Sequence, residues 1–112
     1  MTGIIPFNDL GNWAVGQLSP VWQFNLQRDL GTFDLTGVNT SQLSLIIYNT
    51  LKASIGVGTG IFQIVANNPA VVIYSQSSSD MATAGTFFYR VRVNFGGASP
   101  DYSDYVHIQI NN

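Results

Sequence analysis

Apolar and polar residues alternate along several short segments of the chain, and this period of two is typical of β-strands with one buried face. In the segment VWQFNLQRD, Trp22, Phe24 and Leu26 fall on one face while polar side chains occupy the other. The pattern recurs in QLSLIIYN, GTFFYRVRVNF and YVHIQI, and it predicts these inward residues: Leu43, Leu45, Ile47, Phe87, Tyr89, Val91, Val93, Phe95, Val106, Ile108 and Ile110.

Turn signals separate the alternating segments. IFQIVA and AVVIYS are rich in β-branched residues and are separated by NNP, and the other connections contain Gly, Asn, Asp, Ser and Pro. No stretch shows helical spacing beyond a turn or two. About seven short strands in roughly 100 residues predict an all-β, Ig-like antiparallel β-sandwich. A small closed barrel is the alternative architecture.

The N-terminal segment, residues 1–19, differs from the sandwich domain expected over residues 20–112 because its apolar residues follow no period. One interpretation is an edge strand and loop that cap the domain's own core. The other is an extended arm that docks on a neighbouring subunit, since an aromatic residue on an apolar segment is a common interface anchor. The interface candidates in this segment are Ile4, Ile5, Phe7 and Trp13.

The charge content is unusually low. Charged residues make up 9% of the chain, against roughly 25% in an average soluble domain. There is no Glu, and Lys52 is the single lysine. A neutral polar surface fits a secreted protein, a sugar-contacting one, or a subunit largely covered by its neighbours. The net charge of -2 argues against nucleic acid as a partner.

No apolar run reaches the length of about 18 residues that a membrane helix needs, so no membrane partner is expected. The N-terminus lacks a basic start and is interrupted by Pro6, Asn8 and Asp9, which makes it a poor signal peptide. The chain has no cysteine, which excludes disulfides and thiol chemistry.

Residues suited to catalysis are scarce, so no enzymatic activity, cofactor or metal is expected. The single histidine, His107, falls on the outward side of its strand, away from any nucleophile that it could activate. The aspartates lie in turn-like contexts, where Asp commonly caps backbone N–H groups, and Asp101 with Asp104 is only a weak calcium signal. The segment GVGTG leads into a strand, whereas a phosphate-binding loop leads into a helix.

Two features of the segment DMATAGTFFYRVRV carry structural information. Arg90 and Arg92 project to the same side as Phe88, either as a contact stripe for an acidic partner or as protection of a sheet edge. The spacing of Asp80 and Gly85 ahead of the strand is typical of the E–F corner of an Ig-like sandwich. Its first aromatic residue is a phenylalanine, so the hydrogen bond of a tyrosine corner cannot form at that position.

Several of these segments together resemble the Ig-like N-terminal domain of phage baseplate upper proteins, and of related tailed-phage virion proteins. The matching positions are the DLTG at 34–37, the alternating strand 43–48 and the strand 85–93, and the resemblance extends over roughly residues 20–110. It implies a virion localisation, other virion proteins (capsid or tail) and copies of the same chain as partners, and no enzymatic role. The chain ends where baseplate proteins continue, so a free-standing subunit is expected, and capsid decoration, a neck or tail accessory and a baseplate adaptor remain open.

The DLTG motif is expected to be architectural. Asp34 and Thr36 can satisfy local backbone groups, Leu35 can point into the core, and Gly37 can adopt a positive φ. A turn of this kind sets the register of the next strand, and a slip of one residue would send its buried side chains to solvent.

The composition supports one further function. A carbohydrate-binding module for adhesion to a host glycan would use exposed tyrosines beside amide side chains. Its candidate residues are Tyr48, Tyr102 and Tyr105.

Overall fold

The computed structural model describes residues 4–5, 9–28, 31–95 and 100–112. This part of the chain contains no α-helix, and two sheets pack into a β-sandwich, as the alternation predicts. The strands are β1 (Ile4–Ile5), β2 (Asp9–Ala14), β3 (Val21–Asn25), β4 (Gln27–Arg28), β5 (Gly31–Thr32), β6 (Leu43–Tyr48), β7 (Ser54–Val57), β8 (Ile61–Asn67), β9 (Ala70–Ser75), β10 (Gly85–Val93), β11 (Asp101–Tyr102) and β12 (Val106–Asn111).

The smaller sheet has four strands in the order β1-β3-β9-β8. β1 pairs in parallel with β3, whereas β3 with β9 and β9 with β8 are antiparallel. β8 is the free edge of this sheet, and a register shift between Ile64 and Ala66 marks a bulge in it.

The larger sheet has the order β2-β12-β10-β6-β7, with β11 added to β10. β2 runs parallel to β12, and the other neighbours are antiparallel. A 3₁₀ turn at Thr40–Gln42 leads into β6, and β4 and β5 form a small separate hairpin.

The core lies between the two sheets and is centred on Trp22 of β3, which is fully buried. Its ring centroid lies 5.8 Å from that of Tyr74 within its own sheet and 5.3 Å from that of Tyr89 on the facing sheet. The inward residues of β6, β10 and β12 fill the remaining space: Leu43, Leu45, Tyr89, Val91, Val93, Val106, Ile108 and Ile110. The predicted faces of these strands are therefore correct.

One inward prediction needs correction. Phe95 follows the end of β10, is exposed, and stacks on Phe33 at 6.5 Å between ring centroids. Phe87 is half-buried and packs against the core, on the face that the alternation predicts. Alternation fails at Phe95 because this residue lies beyond the last residue of β10.

The prediction of Trp13 as an interface anchor is wrong for the chain as it folds here. Its side chain is 4% exposed, its indole N–H donates a 2.6 Å hydrogen bond to the Leu10 carbonyl, and its ring meets Trp22 edge-on at 5.6 Å. Asp9–Ala14 form an edge strand of the larger sheet, which agrees with the edge-strand interpretation of this part of residues 1–19. Ile4 and Ile5 pair through their backbones with β3, and Phe7 lies outside the described residues.

Candidate interaction surface

The outer surface of the larger sheet is built by the alternation of β10. Because Tyr89 and Val91 point into the core, Phe88, Arg90 and Arg92 project outward, as predicted. The register places Tyr48 of β6 and His107 of β12 on either side of Phe88. Tyr102 of β11 and Tyr105, just ahead of β12, lie near them on this surface.

Arg90 is the centre of an aromatic–cationic cluster formed by Tyr48, Lys52, Phe88, Arg90, Tyr102 and Tyr105. Its guanidinium carbon lies 4.9, 4.4 and 4.6 Å from the ring centroids of Tyr48, Tyr102 and Tyr105. Its Nε and Nη2 also donate hydrogen bonds of 3.2 and 2.9 Å to the Tyr48 hydroxyl. These contacts cover Tyr48, which is 6% exposed.

Lys52 supplies the second cation of the cluster. Its Nζ lies 5.2 Å from the Phe88 ring centroid and 4.7 Å from that of Tyr105. The turn between β6 and β7 holds it there, because the Asn49 side-chain oxygen accepts hydrogen bonds from the N–H groups of Leu51 and Ala53. Sequence reasoning missed Lys52, and its only signal was a solitary lysine in a turn beside an outward-facing tyrosine.

The cluster contains two cationic side chains, Lys52 and Arg90. Within the part of the chain that the structure describes, no carboxylate forms an ion pair with Lys52 or Arg90, and both cations are instead held by aromatic rings. Stacking of this kind keeps a cation partly desolvated and fixed in place, while leaving its remaining N–H donors available. The surface is therefore suited to binding a carboxylate-bearing partner with apolar flanks.

Arg92 does not join the cluster. It lies opposite Ser44 of β6 and Tyr102 of β11 in the sheet, half-buried. His107 packs edge-on against Phe88 with 5.7 Å between ring centroids. It is an outward-facing aromatic neighbour of the cluster, on the face where the sequence predicts it.

The corner between β9 and β10 is organised around the Asp80 carboxylate. One oxygen accepts a hydrogen bond of 2.9 Å from the Thr59 N–H, and the other accepts bonds from the Tyr74 hydroxyl and the Ser77 N–H at 2.5 and 3.0 Å. Gly85 begins β10 with a φ of 147°, a backbone conformation that favours glycine. Burial, followed by the hydrogen bond to Asp80, raises the pKa of Tyr74 well above its usual range.

A cavity of about 180 Å³ opens beside this corner. Its lining includes Ile47, Ile55, Phe87 and Tyr89 together with Asp80. Burial raises the pKa of Tyr89 above its usual range, so its phenol stays neutral. The Asp80 carboxylate in the wall of this cavity accepts hydrogen bonds from Thr59, Tyr74 and Ser77, which fix its orientation.

The turn at 34–37 has the roles that its sequence predicts. An Asp34 carboxylate oxygen accepts hydrogen bonds from the Thr36 N–H and hydroxyl at 2.9 and 2.6 Å, and these bonds lower the Asp34 pKa. Leu35 is fully buried and donates its N–H to the Asn67 carbonyl at 2.8 Å, while Gly37 has a φ of 82°. The turn thus joins the chain ahead of β6 to the end of β8.

The described residues bring together no group of three or more His, Asp or Glu side chains that could hold a metal ion. The weak calcium candidates are Asp101 in β11 and Asp104 in the loop before β12, and the Asp101 carboxylate accepts a hydrogen bond from the Tyr102 N–H at 3.0 Å. No described helix is long and apolar enough to cross a membrane.

No family model matches the chain, and no curated protein sequence is significantly similar to it.

Proposed function

We propose that the chain is a non-enzymatic structural subunit of a tailed-bacteriophage virion, with an Ig-like sandwich as its scaffold. The strand orders support the Ig-like assignment. If β1, β3, β9 and β8 are lettered A, B, E and D, and β12, β10 and β6 are lettered G, F and C, these strands follow the ABED and GFC orders of that class. The departures are the parallel pairing of β1 with β3 and the additional strands β2, β7 and β11 in the larger sheet. The virion assignment rests on the resemblance of residues 34–37, 43–48 and 85–93 to baseplate domains.

The aromatic–cationic cluster is the observation that carries the assembly role. Two cations fixed on aromatic rings, without carboxylate partners among the described residues, form a rigid and partly desolvated contact surface. Aromatic residues and Arg are enriched in the anchors of protein interfaces. The acceptor is an acidic patch on a neighbouring virion protein, which neutralises Lys52 and Arg90 as the rings are buried.

Particle composition tests this proposal directly. Particles produced from the genome that encodes the chain are purified and their proteins quantified by mass spectrometry. We expect the chain in the particles at a fixed ratio to the capsid protein, and reduced incorporation of Arg90→Glu but not of the control Arg92→Glu. Recovery of the wild-type chain only in the soluble fraction, away from the particles, would overturn the assignment.

Carbohydrate binding is the second candidate function, because Tyr102 and Tyr105 converge on the same surface. Tyr48 is removed from the stacking candidates, since its ring is buried beneath Arg90. A sugar ring would stack on the accessible tyrosines while Lys52 or Arg90 bonds its hydroxyl or carboxylate groups. On a glycan array, specific binding by the isolated chain that is lost in Tyr105→Ala supports this function, and absence of binding removes it.

A further inference from the structure

The outer face of the smaller sheet has a composition opposite to that of the aromatic–cationic cluster. Because Trp22, Phe24, Val72 and Tyr74 point into the core, the alternate residues of β3, β9 and β8 point outward. We call this outward set the neutral face, and its members are Val21, Gln23, Asn25, Ile61, Gln63, Val65, Val71, Ile73 and Ser75.

The register arranges the neutral face in rows across the sheet. Gln23, Ile73 and Gln63 lie side by side on β3, β9 and β8, and Ile61 lies opposite Ser75. Apolar side chains therefore alternate with neutral amides and a hydroxyl. Such a surface can bury aliphatic groups and still form hydrogen bonds with a partner.

No residue in the four strands of the smaller sheet is charged. Even the segment between Lys52 and Asp80, which contains β7, β8 and β9, has no charge. In the larger sheet, by contrast, β10 by itself carries two charged residues, Arg90 and Arg92. The smaller sheet therefore lacks charged side chains. Such side chains usually prevent the edges and outer faces of sheets from associating with other chains.

The neutral face also exposes its apolar residues at a free edge. Ile61 is 74% exposed and Val65 is 53% exposed, and both lie on β8. Among the described strands, β8 pairs with β9 alone, and it contains neither a charge nor a proline. A bulge between Ile64 and Ala66 interrupts this pairing, but the charged residues and prolines that commonly protect an edge strand are absent, which leaves the edge open to another chain.

We propose that the neutral face, together with the β8 edge, binds a second copy of this chain to form a closed dimer. In an isologous dimer residue i of one copy contacts residue j of the other and j contacts i, so a patch whose charges all have one sign repels its own copy, and such a dimer needs a surface without unbalanced charge. The neutral face meets this condition, whereas the larger sheet would bring Lys52 and Arg90 against their own copies. The neutral face extends over three adjacent strands, β3, β9 and β8, so it offers a partner one continuous surface.

Sedimentation velocity on the isolated chain tests this inference without any virion component, so the result does not depend on the proposed function. The two variants compared are Val65→Lys on the neutral face and Val57→Lys on β7 of the larger sheet, where Val57 is 57% exposed. Both change an exposed edge-strand valine into lysine, but only the first places a pair of charges in the proposed dimer interface. Gln63→Lys adds a charge to the same face without removing an apolar contact.

We expect the wild-type chain to reach a limiting dimer as its concentration rises from micromolar to millimolar. Val65→Lys and Gln63→Lys are expected to raise the dimer dissociation constant by at least about tenfold, and Val57→Lys to leave it unchanged. A wild-type chain that stays monomeric up to millimolar concentration would overturn the inference. An equal effect of Val57→Lys, or a mass that grows without limit, would do the same.

Discussion

The phenol hydroxyl of Tyr74 donates a hydrogen bond of 2.5 Å to Asp80 and accepts one of 2.7 Å from the Gly60 N–H. Tyr74 lies in β9, Asp80 lies in the connection to β10, and Gly60 comes just ahead of β8. One side chain therefore joins two connections that are distant in sequence. These bonds form where Tyr74 is mostly withdrawn from solvent, so their loss is not readily compensated by water.

Tyr74→Phe is expected to lower the free energy of unfolding by about 1–3 kcal/mol, because it leaves the Gly60 N–H and an Asp80 oxygen short of a partner. Urea denaturation measures the change. Tyr102→Phe is the control, since the Tyr102 ring packs on Arg90 while its hydroxyl forms no hydrogen bond within the described residues. Its effect is expected to stay below about 0.5 kcal/mol. Equal losses in the two variants would contradict the role given to Tyr74.

Alkaline pH is expected to destabilise the chain through Tyr74 and Tyr89. Burial raises the pKa of both phenols above the ordinary value of 10.0, so the folded chain holds these protons more tightly than the unfolded chain. Their contribution to stability is complete below pH 10 and declines as the pH rises beyond it. Tyrosinate absorbance followed beside circular dichroism should show Tyr74 and Tyr89 ionising only as the β signal is lost. Reversible ionisation of all five tyrosines in a folded chain would refute this.

Two glycines of the segment GVGTG are expected to respond differently to alanine. A Cβ at Gly60 would overlap the Ser75 carbonyl oxygen and lie 2.6 Å from the Tyr74 ring, whereas a Cβ at Gly56 would meet nothing within 4 Å. Gly60→Ala should therefore destabilise the fold by about 1–3 kcal/mol or more. Gly56→Ala should be neutral, or stabilising by about 0.5 kcal/mol. Thermal unfolding of the pair measures this, and similar melting temperatures would show that the close approach at Gly60 is not required.

The stacking of Arg90 is expected to contribute to stability as well as to binding. Arg90→Ala removes the guanidinium from three tyrosine rings and from the Tyr48 hydroxyl, which we expect to cost about 1–2 kcal/mol. Arg90→Lys should recover only part of this, because an ammonium lacks the planar face that stacks on rings. Arg92→Ala, on the same strand, should change stability by less than about 0.5 kcal/mol. Chemical denaturation that ranks Arg92→Ala as the more damaging variant would contradict the cluster.

The faces of the strands could be predicted because they depend on local geometry. Successive side chains of a strand point to opposite sides, so Trp22 and Phe24 on β3, or Tyr89 and Val91 on β10, share a face wherever the strand lies. The turn at 34–37 could be predicted equally well, because the hydrogen bond to Asp34 and the positive φ of Gly37 depend only on near neighbours in sequence.

The residues against which each strand face packs could not be predicted in this way. Trp13 lies in an aperiodic segment, and only the parallel pairing of β2 with β12 places it against Trp22 in the core. The aromatic–cationic cluster collects Lys52 from a hairpin turn, Arg90 from a central strand and Tyr105 from a loop near the C-terminus. No short window of sequence contains such a set.

The sequence by itself determined that this chain is a sandwich of short strands with few charges, because period-two alternation and composition are properties of neighbouring residues. Only the tertiary structure decided that Lys52 and Arg90 meet at the larger sheet while the smaller sheet carries no charge. That division depends on which strands become neighbours, and strand pairing is settled by the packing of the whole core around Trp22.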